Sequence, residues 1–208
     1  MNTVTYTASL YDQRNTSTWA TGYARQGKYT TTMHRGLIVF PELANNAMRG
    51  KQISDIGLTL VASSSGYGSS YTKNATFYTT SKTEASGTST SWIASENLAG
   101  VISDGFFNVT KTYPSLATSH PSLFANLKTF FENGGQALGM YVNEEPTSKD
   151  YSYNYLQFSS VVMTVTYENG NLWRYDGSNW INCDAYYHNG TEFVRCNAFR
   201  HNGSAWQQ

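Results

Sequence analysis

Histidine, cysteine and paired carboxylates are the side chains that acid–base and nucleophilic catalysis require, and histidine is scarce in this chain. The sequence has four histidines. His188 and His201 each precede a predicted turn in a 13-residue repeat that is described below. Tyr175 holds the same position in the first copy of that repeat, so an aromatic role beside the turn explains both histidines. His120 precedes a predicted helix, and His34 lies beside an apolar strand with no marked Asp, Ser or Cys partner. Because no Gly-x-Ser-x-Gly motif is present either, the sequence predicts no catalytic triad.

The acidic residues do not form the pair that a glycosidase needs, which lies about 5 to 9.5 Å apart. Glu144 and Glu145 are adjacent, so in a strand their side chains point to opposite faces. The other acidic residues of interest are scattered singly: Glu42, Asp55, Asp104 and Asp150. The sequence also contains no phosphate-binding loop, dinucleotide fingerprint or EF-hand loop. We therefore expect no enzymatic activity, no catalytic residue, no cofactor and no metal site.

Aromatic side chains are the remaining residues with a clear binding chemistry, and they make up 15% of the chain. Sugars present apolar C–H faces that stack on Tyr and Trp, while neutral polar side chains bond the hydroxyls. Three of the tyrosines alternate and would share one face of a strand. That face is expected either to bind carbohydrate or to pack in the core or against another copy. The predicted carbohydrate-binding residues are Tyr67, Tyr71, Trp92, Tyr151, Tyr153 and Tyr155.

The charge composition excludes several classes of partner. Lys plus Arg and Asp plus Glu are both 14, so the formal net charge is zero, and charged residues are only 13% of the chain. A nucleic-acid binder or a protein that adheres to anionic lipid needs a basic surplus, so we expect neither function. The apolar runs are far shorter than the roughly 20 residues of a membrane span, and no secretory leader is expected. Neutral polarity replaces the charge: Ser, Thr and Asn account for 66 of 208 residues.

A 13-residue repeat is the clearest internal signal and lies near the C-terminus. The three copies read RYDGSNWINC, YHNGTEFVRC and RHNGSAWQQ. Each places Asp-Gly or Asn-Gly between aromatic segments, which predicts a β-hairpin with a type I′ turn. Cys183 and Cys196 hold equivalent positions and either pack as small apolar residues or form a disulfide; they lack the companions of a zinc site. The turn glycines are expected at Gly177, Gly190 and Gly203, with return strands that begin at Ser178, Thr191 and Ser204.

The preceding residues predict an all-β domain over 1–168, a jelly-roll-like β-sandwich with one short helix. A β-hairpin repeat module follows over 169–208 and is predicted to be a β-meander of the three 13-residue repeats. The helix is predicted over 121–132, because Pro121 opens it and Gly134 follows its end, and a shorter helical turn is predicted over 41–48. Turns are expected at 63–70, 83–90 and 168–171. Strands are predicted by alternation or by short apolar runs at 3–10, 36–40, 53–61, 76–80, 106–110, 138–142 and 161–167.

Several motifs in this domain carry a family resemblance. They are Arg25-Gln26-Gly27, HRGLIVFP at 34–41, MRGKQISDIGLTL at 48–60, Gly66-Tyr67-Gly68, and the segment at 137–167 that runs from ALGMYVNEEP to TVTY. In this order they resemble β-sandwich modules of bacteriophage tail and baseplate proteins and of bacterial secreted surface proteins, which are related to DNRLRE-type and carbohydrate-binding jelly rolls. The repeats likewise resemble terminal hairpins of phage virion proteins. The resemblance covers about 1–167 and transfers no binding residue; it implies that Gly36 and Gly50 serve backbone turns.

The resemblance implies a role on a virion or cell surface. We expect a non-enzymatic virion structural protein, a tail, baseplate or fibre component assembled in the host cytoplasm. Its expected partners are other virion proteins, further copies of itself and host cell-wall polysaccharide, with no nucleic acid and no membrane insertion. Two alternatives stay open: a capsid or neck decoration protein with no ligand, and a carbohydrate-binding module of a bacterial secreted protein.

Overall fold

The computed structural model describes residues 1–15, 17–29, 32–66, 74–103, 110–142 and 153–169. Beyond these it describes 172–175, 180–183, 185–188, 191, 193–196, 200–201 and 206–207, for which the backbone is discussed. Eleven antiparallel strands form the main sheet: β1 Asn2–Thr7, β2 Ser9–Arg14, β3 Thr18–Thr21, β4 Ala24–Tyr29, β5 Thr32–Val39, β6 Lys51–Gly66, β7 Ala75–Thr80, β8 Leu98–Ile102, β9 Thr110–Tyr113, β10 Ala137–Met140 and β11 Tyr153–Asn169.

The sheet folds over on itself because its first strands pair in two different places. β1 pairs with β11, whereas β2 pairs with β5 and β3. The predicted single strand at 3–10 is therefore two strands, and the chain changes partners at Ala8, whose N–H donates to the Val161 carbonyl at 3.0 Å. β5 also pairs with β10, which continues through β7 to β8, and β11 pairs with β6, which continues to β9. The result confirms the predicted all-β, sandwich-like fold.

β4 joins the two halves of the sandwich, since it pairs with β11 along its whole length and with β5 at its end. Gly36 lies beneath it: a Cβ there would be 2.9 Å from the Arg25 nitrogen and 3.0 Å from the Ala24 Cβ. Gly36 thus permits a close approach of two strands, and its expected place in a turn is wrong. Gly50 does occupy a turn, with φ of +75°.

The hydrophobic core lies between the two halves, and alternation along the long strands supplies it. Ile56, Leu58 and Leu60 of β6 are buried with Val161, Met163 and Val165 of β11, as the period-two pattern predicted. The outer face of the same strands carries hydroxyls instead, with Thr5 and Thr164 in contact at 3.2 Å. β6 extends to Gly66 because its end pairs with the start of β11, so the predicted turn at 63–70 begins later than expected.

One helix of real length, α2 (Pro121–Glu132), closes one end of the core with the single-turn α1 (Leu116–Ser119) before it. Its bounds are those predicted, with Pro121 at the first position and Gly134 at a φ of +88° after its end. Leu123, Leu127 and Phe131 are its buried residues. Two 3-10 helices, Pro41–Asn46 and Ser95–Asn97, complete the elements, and the first matches the predicted helical turn.

The C-terminal repeats form three β-hairpins with the same register: β12 Leu172–Tyr175 with β13 Trp180–Cys183, β14 Ala185–His188 with β15 Phe193–Cys196, and β16 Arg200–His201 with β17 Trp206–Gln207. Leu172 pairs with Cys183 in the first hairpin. The equivalent pair of the second hairpin, Ala185 with Cys196, lies thirteen residues further along the chain. The hairpins are as predicted, but β15 begins at Phe193 and not at Thr191, because the pairing of His188 with Phe193 leaves four residues between the strands.

Three further predictions concern the repeats: the turn glycines, the pairing of the cysteines and the boundary that precedes them. The three turn glycines lie outside the described residues, and the pairing of the two cysteines is not described. β11 runs to Asn169, so the predicted turn at 168–171 begins within a strand. The division of the chain into domains at 168/169 stays a prediction.

Candidate functional site

The structure describes the side chains of two of the six predicted carbohydrate-binding residues, Trp92 and Tyr155. Tyr67, Tyr71 and Tyr151 lie outside the described residues, and Tyr153 is described by its backbone, which pairs with Tyr29 at the start of β11. The pairing of Gly66 with Tyr155 places the end of β6 beside that strand.

Tyr155 is a buried residue, only 7% exposed, and a cation already covers its ring. The Arg25 guanidinium lies 4.6 Å from the ring centroid of Tyr155 and 5.0 Å from that of Tyr23. The Arg25 Nε atom also donates to the Gln157 Oε1 atom at 3.1 Å. A sugar cannot reach the face that the guanidinium occupies, so the packing alternative for the tyrosine face applies to Tyr155.

His34 has an aspartate partner, contrary to the sequence-based expectation. Its Nδ1 atom lies 2.9 and 2.8 Å from the two carboxylate oxygens of Asp12, which the pairing of β2 with β5 brings beside it. The Nε2 atom of His34 lies 3.4 Å from Arg25 Nη1. Because a guanidinium can only donate, Nε2 accepts from Arg25 and Nδ1 donates to Asp12. Both ring nitrogens are thus engaged inside the fold, where they hold β2, β4 and β5 together.

Arg14 forms the solvent side of this polar cluster. Its Nε atom is 3.4 Å from Asp12 Oδ2, and its Nη2 atom donates to the Tyr23 hydroxyl. The hydrogen bond with Tyr23 is the main reason why the pKa of Arg14 is raised above its ordinary value. This polar cluster therefore connects strands at the junction of the two halves. Asp12 and His34 are its buried members, and Arg14 is its solvent-exposed member.

Trp92 lies on the opposite, outer face of the sheet, in a group that we call the tryptophan patch: Tyr11, Trp19 and Trp92. The patch packs on a small apolar cluster formed by Leu37, Val39 and Ala137. The ring centroids of Trp19 and Trp92 are 5.9 Å apart, with 32° between the ring planes. Both rings are half-buried, so each keeps part of its surface in contact with solvent.

Hydrogen bonds hold the two indole rings in place. Trp92 Nε1 donates to Gln13 Oε1 at 2.9 Å, and Gln13 Nε2 donates in turn to the Ser89 carbonyl at 3.1 Å. Trp19 Nε1 donates to the Gly87 carbonyl at 2.9 Å. These bonds fasten the Ser- and Thr-rich segment 81–94 across the outer face of the sheet. One positive charge is close, since Lys82 Nζ lies 5.1 Å from the centroid of the Trp19 ring.

Trp92 and Tyr155, the two predicted residues whose side chains are described, lie in different surroundings: Trp92 packs in the tryptophan patch, and Tyr155 packs against Arg25 at the junction of the two halves. Sequence reasoning missed Trp19 and Tyr11, which belong to the β2–β3 hairpin. The signal that could have found them is one aromatic residue on each side of the turn at Asn15, at positions that pair with polar residues: Tyr11 with Thr21 and Trp19 with Gln13. The half-buried Trp92 is the predicted site residue around which a surface is built.

The described part of the chain offers no cluster of three or more His, Cys, Asp or Glu side chains that could hold a metal ion. Among the same residues, no helix combines the length and the apolar composition needed to cross a membrane. A scan of the chain against models of known protein families finds no match, and a search among curated proteins finds none either.

Proposed function

We propose that this chain is a non-enzymatic structural protein of a bacteriophage virion, a tail, baseplate or fibre component that attaches to other virion proteins and to glycan on the host surface. The resemblance of residues 1–167 to phage surface modules supports the virion assignment. The three hairpins with one common register support it as well, since the motifs of the repeats resemble terminal hairpins of virion proteins.

The tryptophan patch is the observation that carries the glycan part of the proposal. Indole rings offer flat apolar faces to the C–H faces of sugars, and their hydrogen-bonded N–H groups fix their orientation in advance. The Gly87 carbonyl and the Gln13 amide lie beside the rings, and neutral polar groups of this kind suit the hydroxyls of an uncharged sugar. The balanced charge of the chain is consistent with a neutral ligand.

A patch of this size binds weakly on its own, because two half-buried rings offer little contact beyond the cost of association. A dissociation constant near 1 mM corresponds to about −4 kcal/mol. Effective adhesion then requires several copies on one particle, which convert weak contacts into avidity. The proposed function therefore includes a homo-oligomer or another multi-copy arrangement on the virion.

Cosedimentation with insoluble cell-wall polysaccharide of the host tests the glycan part. Trp19→Ala removes one stacking face and should reduce the bound fraction at least about fivefold, whereas Trp19→Phe keeps an aromatic face and should retain most of it. Equal binding of the wild type and a folded Trp19→Ala variant would exclude the patch. If the wild type binds no polysaccharide, the decoration protein without a ligand becomes the better description.

Antibody labelling of purified particles tests the virion part separately. Labels at the tail or baseplate are expected. Labels over the capsid or neck would favour the decoration protein. Particles that contain none of the chain would overturn the virion assignment and favour the module of a bacterial secreted protein.

A further inference from the structure

A second concave surface lies between α2 and the edge of the sheet formed by β7 and β8. It is a groove of about 340 Å³, a volume at the lower end of the range for small-molecule sites. One wall is a single face of α2, at the spacing i, i+3, i+4 and i+7, formed by Asn126, Thr129, Phe130 and Asn133. Glu96 and Leu98 contribute to the opposite side.

The polar atoms on the helix wall have fixed orientations. Asn126 Nδ2 donates to the Ala99 carbonyl at 2.8 Å, and Asn133 Nδ2 donates to the Thr129 carbonyl at 2.9 Å. Because a carbonyl can only accept, these bonds fix the orientation of both amides. The Thr129 hydroxyl donates its one proton to the Ala125 carbonyl at 3.0 Å. Each amide nitrogen keeps a second N–H, and the two Oδ1 atoms and the Thr129 oxygen keep acceptor capacity, so this wall can both donate to and accept from the hydroxyls of a ligand.

Apolar surface lies beside these polar groups. Phe130 packs against Gly135, where a Cβ would come within 2.4 Å of the ring, so glycine lets the ring lie against the backbone. Leu98 is 45% exposed, which is unusual for a leucine in the described part of this fold. A phenyl ring, an exposed leucine and a row of amide and hydroxyl groups together match the mixed apolar and hydroxyl surface of a sugar ring.

The charge at the groove limits the ligand further. Among the described residues that line it, Glu96 is the charged one, so a carboxylate or phosphate would meet repulsion. We propose that this groove binds a small saccharide, either a neutral hexose or an amino sugar, and discriminates against uronic acids and sugar phosphates. This inference goes beyond the proposed function, since it assigns a second site that shares no residue with the tryptophan patch.

NMR titration of the full-length protein with glucose, glucosamine and glucuronate tests the proposal. Glucose and glucosamine should shift the amide signals of Asn126, Thr129 and Asn133 to saturation, with dissociation constants in the millimolar range. Glucuronate should bind at least about tenfold more weakly, and Glu96→Gln should narrow that difference. Shifts confined to other residues, equal binding of glucuronate, or no saturation with any of the three probes would overturn the proposal.

Two lysine substitutions on the same helix provide the matched comparison. Thr129→Lys places an ammonium group among these polar groups and should weaken glucosamine binding at least about tenfold. Ala125→Lys adds the same charge at an exposed position that does not line the groove, and should change the affinity less than about twofold. Equal effects of the two lysines would overturn the site.

Thr129→Val provides a second route, since it removes the oxygen without added bulk and should weaken binding about threefold. The spectra of all variants report whether they fold. Failure of the groove leaves polysaccharide binding by the tryptophan patch intact, and the reverse also holds, so the two proposals fail separately.

Discussion

The Nδ1 atom of His34 lies 2.8 Å from the Oδ2 atom of Asp12, and both side chains are almost completely buried. The two residues are 22 positions apart and meet because β2 and β5 are neighbours in the sheet. Arg25 completes the cluster from β4, the strand that joins the two halves of the sandwich. The contact therefore lies where the fold has to hold three strands in one arrangement.

Removal of the buried carboxylate should be strongly destabilising. Asp12→Ala leaves the Nδ1–H group of His34 without its acceptor in the interior, and we expect the free energy of unfolding to fall by about 3 to 5 kcal/mol. Urea denaturation measures this change. Arg14→Ala is the matched control: its side chain is 43% exposed and contacts the same carboxylate, so it should cost less than about 1 kcal/mol. Similar effects of the two substitutions would show that the buried contact contributes little.

The close approach of β4 over β5 predicts that Gly36 tolerates no side chain. Gly36→Ala places a methyl group against backbone atoms that cannot move aside easily, so we expect a loss of about 2 to 3 kcal/mol. Gly87→Ala is the comparison. Its Cβ would meet nothing within 4 Å, so the only cost is the strain of an alanine at a φ of +79°, about 1 kcal/mol of stability. Thermal and urea unfolding of both variants check the order. A larger loss for Gly87→Ala would contradict this account of Gly36.

Burial raises the pKa of Tyr6 to about 12, with further contributions from Tyr167 and Glu42. In the unfolded chain the pKa is near its ordinary value of 10.0, so the folded state holds this proton more tightly. The resulting stabilisation is complete below pH 10 and is lost as the pH rises toward 12. We expect wild-type stability to fall more steeply than that of Tyr6→Phe in this window, by at most about 1.4 kcal/mol per pH unit. Parallel curves for the two proteins between pH 10 and 12 would refute the assignment.

Deletion of 171–208 tests the predicted boundary before the hairpin repeats. The truncated protein keeps all eleven strands of the main sheet, so its circular dichroism should retain the β signal and one cooperative thermal transition. A truncation after Ser159 is the control, because it removes the part of β11 that pairs with β1, and it should not fold. Loss of the β signal in the first truncation would show that the sheet depends on the repeats.

Local sequence signals predicted the helices and strands whose pattern does not depend on residues distant in the sequence. Pro121 and Gly134 bracket α2 in the sequence as they do in the structure, and alternation identified the buried face of β6. Residues 11–14 of β2 and the whole of β4 were not predicted, because buried polar residues such as Asp12 and Gln26 interrupt the apolar pattern. Their hydrogen-bond partners come from distant positions: Gln26 donates to the Asn74 carbonyl, 48 residues away.

The candidate site was harder to predict for a similar reason. Alternation shows that Tyr153 and Tyr155 share a face, but it does not show which face meets solvent. For Tyr155 the answer depends on Arg25, which arrives from another strand. The tryptophan patch requires that Trp19 and Trp92, 73 positions apart, meet across the outer face of the sheet. The groove on α2 is likewise defined by β8 and by the helix together.

The antiparallel pairing of β1 with β11 has a mechanical consequence. Asn2 lies opposite Tyr167, so residue 2 and the end of β11 that leads to the hairpin repeats are at the same end of the β1–β11 ladder. A pull between these two points acts across the ladder and opens its six residue pairs one after another, whereas a pull along the strands would have to break them together. β6 holds the other side of β11 over fourteen pairs. Under tension at this end of the ladder, we expect β1 to separate from β11 first. The chain would then lengthen before the rest of the core unfolds.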